Sequence, residues 1–353
     1  MKLGLGLYRR SLTQENFRFA RQAGCTHLVV HLVDYFQDGN LHGTDENRHW
    51  GVTRNEGRLW TEDELVDLRR AINAEGLALA AVENLDPVLW HDVLLDGPRR
   101  DEQLETVKRI IRTFGEVGIP TLGYNFSIAG VWGHIEAPYA RGGAVSVGFS
   151  TTDGPPETPI PNGMVWNMII DPDAAPGTLG EVTHEQLWAR LSAFLEAVLP
   201  VAEEAGVRLA LHPDDPPMPT LRGTARLVYQ PRYYQQLLDR WPSPANQLEF
   251  CIGSLAEMSE GDIYEVVDQY SRQQAIAYVH FRNIRGKVPH YHEVFVDEGD
   301  VDMLRVIRIL QANGFDGVMI PDHTPQMTCA APWHAGMAYA LGYMRAAIQA
   351  GGG

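Results

Sequence analysis

Eight short apolar runs, each followed by an amphipathic stretch, constrain this chain more than any other feature. They are Leu3 to Leu7, His27 to Leu32, Leu77 to Val82, Thr121 to Phe126, Val207 to Leu211, Leu248 to Phe250, Ile276 to Phe281 and Val318 to Ile320. A continuous apolar run bounded by Gly, Pro and polar residues suits a strand buried on both faces, as in parallel sheets. Helix-start signals fill the gaps. Ser11 with Gln14, Thr61 with Glu64 and Thr183 with Gln186 have capping-box spacing. Later helices are expected from about Thr224, Glu260, Val301 and His334. Eight strand–helix units predict an α/β protein, a single (β/α)8 TIM barrel over residues 1–353. A doubly wound open sheet is the runner-up, but Gly4-Leu-Gly6-Leu-Tyr-Arg is not its glycine-rich first turn.

A plain barrel needs about 250 residues, so roughly a hundred are left for loops. The expected insertions are about 34–57, 127–182 and 283–299, all leaving the C-terminal ends of strands. Barrel enzymes build their sites on that face. Within the second insertion, Pro155, Pro156, Pro159, Pro161, Pro172 and Pro176 predict a stiffened excursion that could serve as a lid.

The charge balance excludes some functions. With 29 Lys+Arg against 45 Asp+Glu, the formal net charge is −16. A nucleic-acid binder or a polybasic membrane-surface protein needs the opposite sign. No stretch approaches the roughly 18 apolar residues of a membrane span. The N-terminal residues do not read as a signal peptide. Three cysteines, Cys25, Cys251 and Cys329, cannot form a fully paired framework, so a cytoplasmic protein is expected.

The chemistry gathers at strand ends. His212 closes the fifth run, Cys251 the sixth, His280 the seventh and Asp322 the eighth. Strands converge around a barrel axis, so these side chains are expected to reach one point. Two imidazoles, a thiolate and a carboxylate suit a divalent transition ion, with Zn2+, Fe2+ and Co2+ all compatible with the donor types. Arg282 lies two beyond His280, on the same face, and is expected to clamp a carboxylate bidentately. His323 is a candidate for proton transfer. Glu83, Tyr124 and Asn125 end the third and fourth runs and are candidate substrate contacts, as is His292 beside Glu293. Asp214 and Asp215 are expected to orient a ligand. Trp50, Trp60, Trp90, Trp132 and Trp166 are available for stacking on a sugar or an aglycone, or for the core.

These residues carry a resemblance. VAEEAGVRLALHPDDPP at 201–217, FCIGS at 250–254, His280 with Arg282, His292-Glu293, GDVDM at 299–303, PDH at 321–323 and Gln326-Met327 are similar to the mannonate dehydratase family, which has xylose-isomerase-like barrels. The similarity is strong from about residue 200 to 327 and thinner but collinear before that, including Tyr-Asn-Phe at 124–126. It implies that His212, Cys251, His280 and Asp322 hold a catalytic Mn2+, and that the reaction dehydrates D-mannonate to 2-dehydro-3-deoxy-D-gluconate. The chain departs from the family pattern after the PDH, where Thr324-Pro325 replaces Gly-His. It departs again where the family has a functional Tyr and Ala331-Pro-Trp-His334 puts His334. His334 is therefore a candidate catalytic group, with His323 and Arg282.

The expected partner is a small sugar acid or sugar derivative, met by a homo-oligomer. Two other readings stand beside the lyase. One is a metal-dependent epimerase, isomerase or β-eliminating enzyme acting on a keto-sugar or glycoside. The other is a non-catalytic sugar-acid-binding protein.

Overall fold

The computed structural model describes residues 1–39, 49–53 and 58–351. Eight parallel strands close into a barrel: β1 Lys2–Leu7, β2 His27–His31, β3 Ala78–Glu83, β4 Thr121–Tyr124, β5 Arg208–Leu211, β6 Asn246–Cys251, β7 Ile276–His280 and β8 Val318–Ile320. Each strand pairs with its sequence neighbours, and β1 closes the ring against β8 through Lys2↔Val318 and Leu3↔Met319. All eight coincide with the apolar runs read from the sequence, within a residue or three at the ends. The eight main helices are α1 Gln14–Gln22, α2 Glu62–Ala74, α3 Arg100–Val117, α4 His184–Ala205, α5 Arg232–Arg240, α6 Ile263–Arg272, α7 Met303–Ala312 and α8 Pro332–Ala350.

The expected capping boxes at Thr61–Glu64 and Thr183–Gln186 form, each with reciprocal side-chain and backbone hydrogen bonds. Two starts differ. The cap of α1 is Thr13, whose hydroxyl accepts from Asn16 N, rather than Ser11. Thr224 starts no helix. It pairs in a short strand with Leu221, and its hydroxyl donates to the Leu221 carbonyl. The helix begins at Arg232, immediately after Pro231, whose fixed φ suits a helix entry.

A large apolar cluster fills the layer between barrel and helices. A separate small cluster of Val29, Ala81, Ala210, Tyr278, Val318 and Ile320 fills the barrel interior. Gly4 and Gly6 make room for it. A Cβ at Gly4 would lie 2.6 Å from Val318 Cγ1, and one at Gly6 3.1 Å from Ile320 Cδ1.

The long excursions are built structures at the C-terminal face. Strands His134–Ala140 and Ala144–Ser150 form a hairpin. It joins the hairpin of Asn283–Lys287 and His290–Val294 in one four-stranded sheet. Gly51–Val52, Met164–Val165 and Met168–Ile169 form a three-stranded sheet, so the excursions after β2 and β4 are tied together. Part of the first expected insertion, 40–48 and 54–57, lies outside the described residues. No helix among the described residues is long and apolar enough to cross a membrane.

Candidate functional site

Strand alternation sets the site. The residues two beyond inward-facing Gly6, Val29, Ala81, Gly123, Ala210, Glu249, Tyr278 and Ile320 make up the C-terminal rim. They are Tyr8, His31, Glu83, Asn125, His212, Cys251, His280 and Asp322, one polar side chain from every strand. The ring order follows the chain order. The four metal-donor types therefore occupy the consecutive arc β5–β8, and Tyr8, His31, Glu83 and Asn125 the arc β1–β4.

His212, Cys251 and His280 bring donor atoms within 4.8 Å of one another. Asp322 stands beside them, with Oδ2 3.6 Å from His280 Nδ1. Its φ of 63° turns the chain sharply at the strand end, a conformation that Asp tolerates better than most residues. His212 Nδ1 meets the Pro213 carbonyl, which leaves Nε2 as its donor atom. His280 Nε2 lies 3.1 Å from Glu83 Oε2 and 3.3 Å from Glu249 Oε1. Its Nδ1 is buried with no hydrogen-bond partner among the described residues. Carboxylates behind a ligating imidazole commonly fix its tautomer and direction in this way.

The electrostatics fit a cation. Burial alone would raise the Cys251 thiol, but Arg282, His212 and His280 outweigh it and hold the thiol well below its usual range. The group at the rim is thus a thiolate, the form that binds metals. Asp322 is likewise held low: burial opposes the shift, and His323, His280 and Arg282 overcome it. Glu249 goes the other way, raised well above the carboxylate range by burial and by Glu83. With an orphaned imidazole nitrogen, a thiolate and a charged carboxylate together, the donor set fits a divalent transition ion.

Arg282 does not project a free fork, which corrects the expectation that it clamps substrate. Its side chain is 2 % exposed and every nitrogen is engaged. Nη1 donates to Glu257 Oε1 at 2.8 Å and Glu293 Oε1 at 2.9 Å. Nη2 donates to Asp215 Oδ2 at 2.8 Å, Ser254 Oγ at 3.0 Å and Cys251 Sγ at 3.4 Å. Nε faces Asp322 Oδ2 at 3.2 Å. Arg282 thus anchors the thiolate and the carboxylate from behind. The geometry needs Gly253, where a Cβ would lie 2.8 Å from both Cζ and Nε of Arg282. With its carboxylates on the other sides, the guanidinium has nowhere to retreat. Gly253→Ala is expected to cost about 1–3 kcal/mol of stability by overpacking and to weaken metal retention. A denaturation midpoint and metal content equal to wild type would contradict this.

Other expectations are corrected too. His334 lies on α8 against α1, with Nε2 3.1 Å from Asn16 Oδ1 and its ring 4.9 Å from Phe19. That packing turns it to the helix layer, and no contact among the described residues joins it to the rim. Tyr124 faces outward as well, its ring 5.5 Å from Phe194 of α4, because Gly123 and Asn125 take the inward positions. His292 stacks on Tyr139 at 4.9 Å, while alternation sends its neighbour Glu293 inward. Glu293 holds His323 Nδ1 at 3.1 Å. His323 Nε2 in turn lies 3.5 Å from Tyr8 Oη and 3.5 Å from Asp322 Oδ1. Burial lowers His323, but Asp322 and Glu293 outweigh it and raise it to about 9. Asn125 is buried and makes no side-chain hydrogen bond among the described residues.

Asp215 orients Arg282, while Asp214 accepts from Leu227 N and Val228 N and faces buried Arg226. Trp50 and Trp166 meet edge-on at 5.4 Å and, with Tyr35 and Phe36, form an aromatic group reaching Tyr8. Trp90 packs with Phe126 and Phe194 in the core. Trp132 and Trp60 carry the guanidinium groups of Arg222 and Arg9. Sequence reading missed Tyr8, His31 and Glu249. The strand period, extended two residues past each interior position, marks the first two, and Glu249 is itself the interior position below Cys251.

The model of the family described as D-mannonate dehydratase (UxuA) matches residues 21–347. A mannonate dehydratase of Oceanobacillus iheyensis is 33% identical over 281 residues, 76% of this chain and 78% of the relative. One of Streptococcus equi subsp. zooepidemicus is 30% identical over 277 residues, 76% and 75%. Among solved structures, the mannonate dehydratase from Streptococcus suis serotype 2 superposes with a TM-score of 0.79 at 24% identity, covering 99% of this chain and 93% of that one. An L-ribulose 3-epimerase shares the fold, with a TM-score of 0.56 at 14% identity over 99% and 95% of the two chains.

Proposed function

This chain belongs to the D-mannonate dehydratase family, and from that premise we propose that it removes water from D-mannonate to give 2-dehydro-3-deoxy-D-gluconate. His212, Cys251, His280 and Asp322 would hold the ion, which we assign as Mn2+. The observation that carries the reading is the convergence of His212, Cys251 and His280 at the barrel mouth, backed by Arg282. The bound ion supplies Lewis acidity toward the negative charge that develops on the substrate carboxylate.

The protein groups divide the remaining work. Glu83 and Glu249 orient His280. Arg282 keeps Cys251 ionised and Asp322 in place. Asn125, buried on the metal-free arc, presents an unused amide to a substrate oxygen. Glu293 fixes His323 through Nδ1, so that Nε2 faces the mouth and returns a proton to the hydroxyl leaving C3.

The test is reconstitution. Chelated protein should lose turnover of D-mannonate and regain it best with Mn2+, at about one ion per chain, with Fe2+, Co2+ and Zn2+ as comparisons. Undiminished activity after complete metal removal would refute the assignment. A wild-type enzyme that ignores D-mannonate but turns over a keto-sugar would refute the substrate.

A further inference from the structure

We propose that His31 is the second acid–base residue of the site, taking the C2 proton of the substrate while His323 serves the leaving hydroxyl. The assignment rests on the dehydratase reading above and adds a residue that reading does not use.

The rim's geometry leads to it. With the proposed donors gathered on β5–β8, a substrate bound at the barrel mouth would meet the opposite arc from β1 to β4. Of the four residues there, Glu83 is tied to His280, Tyr8 points its hydroxyl at His323, and Asn125 has no proton to exchange at neutral pH. His31 remains. It is buried, with its ring 4.7 Å from that of Tyr8 and edge-on at 5.6 Å to Tyr35. Nε2 lies 3.6 Å from Glu83 Oε1, while the other oxygen of Glu83 bonds His280. Glu83 therefore cannot turn away, and its carboxylate favours the proton on Nε2.

That leaves a lone pair on Nδ1, and Nδ1 is buried with no hydrogen-bond partner among the described residues. An unsatisfied buried polar atom costs about 1–3 kcal/mol, and a ligand in the mouth would relieve it. Burial lowers His31's affinity for a proton, though Glu83 opposes this. A neutral imidazole with a carboxylate beside one nitrogen and no protein partner at the other, among the described residues, is suited to act as a general base.

The step balances. The C2–H bond breaks and its proton passes to Nδ1, giving an imidazolium paired with Glu83. The electron pair is delocalised onto the substrate carboxylate, then forms the C2=C3 bond as C3–O breaks. Hydroxide departs as water with the proton from His323. The resulting enol tautomerises to the ketone, and solvent moves the proton from His31 back to His323.

His31→Asn tests this, since its amide oxygen sits near the place of Nδ1 but accepts no proton at neutral pH. With D-mannonate, metal content should match wild type and KM should stay within about threefold. The turnover number should fall by about 10²–10⁴, and exchange of the C2 proton with D2O should fall in parallel. Nitrogen-15 NMR of the metal-free protein, a readout independent of turnover, should show His31 neutral and protonated on Nε2. Turnover within threefold of wild type, or a proton on Nδ1, overturns the proposal. Should His31→Asn not fold, His31→Gln and the tautomer measurement decide it by the same outcomes. Absence of any aldonate turnover by metal-loaded wild type is a different result: it overturns the dehydratase reading, and this role with it.

Discussion

Cys251→Ala is expected to yield a folded protein that has lost both its ion and its turnover. Removing a group that merely orients a ligand typically costs about 10–100-fold in metal affinity, so deleting a direct donor should cost more than about 100-fold. The fold should survive because the neighbours of the thiolate have other partners. Ser254 Oγ also donates to Asp215, and Arg282 keeps four carboxylates within reach. Cys251→Ser separates the roles, since its hydroxyl still accepts from Ser254 and Arg282 but is a poorer donor to a transition ion. Elemental analysis per chain and circular dichroism check the pair. Full occupancy in the alanine variant would remove Cys251 from the ligand set.

Arg282→Met is the second large effect, and it falls on stability. The substitution leaves Asp215 and Glu293 buried, and Asp322 part-buried, around an apolar side chain. Breaking a buried ion pair by deleting one partner costs about 3–5 kcal/mol. The pH dependence has a definite sign. Burial opposes ionisation of Asp215, but Arg282 leads the groups that hold it well below the usual range. A carboxylate depressed in the folded state contributes stability above its unfolded pKa of about 4 and loses it as pH falls through the folded value. The gap between wild type and variant should therefore be widest near neutrality and shrink on acidification below about pH 4. Denaturant titrations at pH 7 and at about pH 2.5, below the unfolded carboxylate pKa, measure it. Equal gaps at both would mean that lost packing, not charge, dominates. Arg282→Lys should recover part of the stability but not the geometry, because one ammonium cannot reproduce a fork with six partners.

The barrel was legible because parallel strands buried on both faces leave unbroken apolar runs, and all eight did so. Helix starts were legible where a capping box was complete, at Thr61 and Thr183. They failed at Thr224, where a local turn uses the same residue type. Reading the strand ends also brought His212, Cys251 and His280 to one place. What escaped were properties of direction and saturation. Tyr124 and Asn125 are adjacent, yet only one can face inward. His292 and Glu293 exchange roles for the same reason. Arg282 looked free because its carboxylates are far apart in sequence, at 215, 257, 293 and 322. His334 looked catalytic because it stands where the related family has a functional Tyr, and the neighbour that draws it away, Asn16, is more than three hundred positions distant in sequence. His31 was visible one residue from the end of an apolar run, His27 to Leu32, but read as part of that run.

The ring order of the barrel has a consequence for how such a chain changes over generations. Because strands follow one another around the ring, the proposed metal donors lie in one contiguous stretch from His212 to Asp322, and the opposing arc in a stretch from Tyr8 to Asn125. A substitution in the first stretch puts the whole chemistry at risk. One in the second changes the groups that meet the substrate, His31 among them, while the proposed donors stay in place. The two halves can thus mutate at different tempos, and a gene fusing the first half of one relative to the second half of another would inherit its donor set from one parent and the groups opposite it from the other.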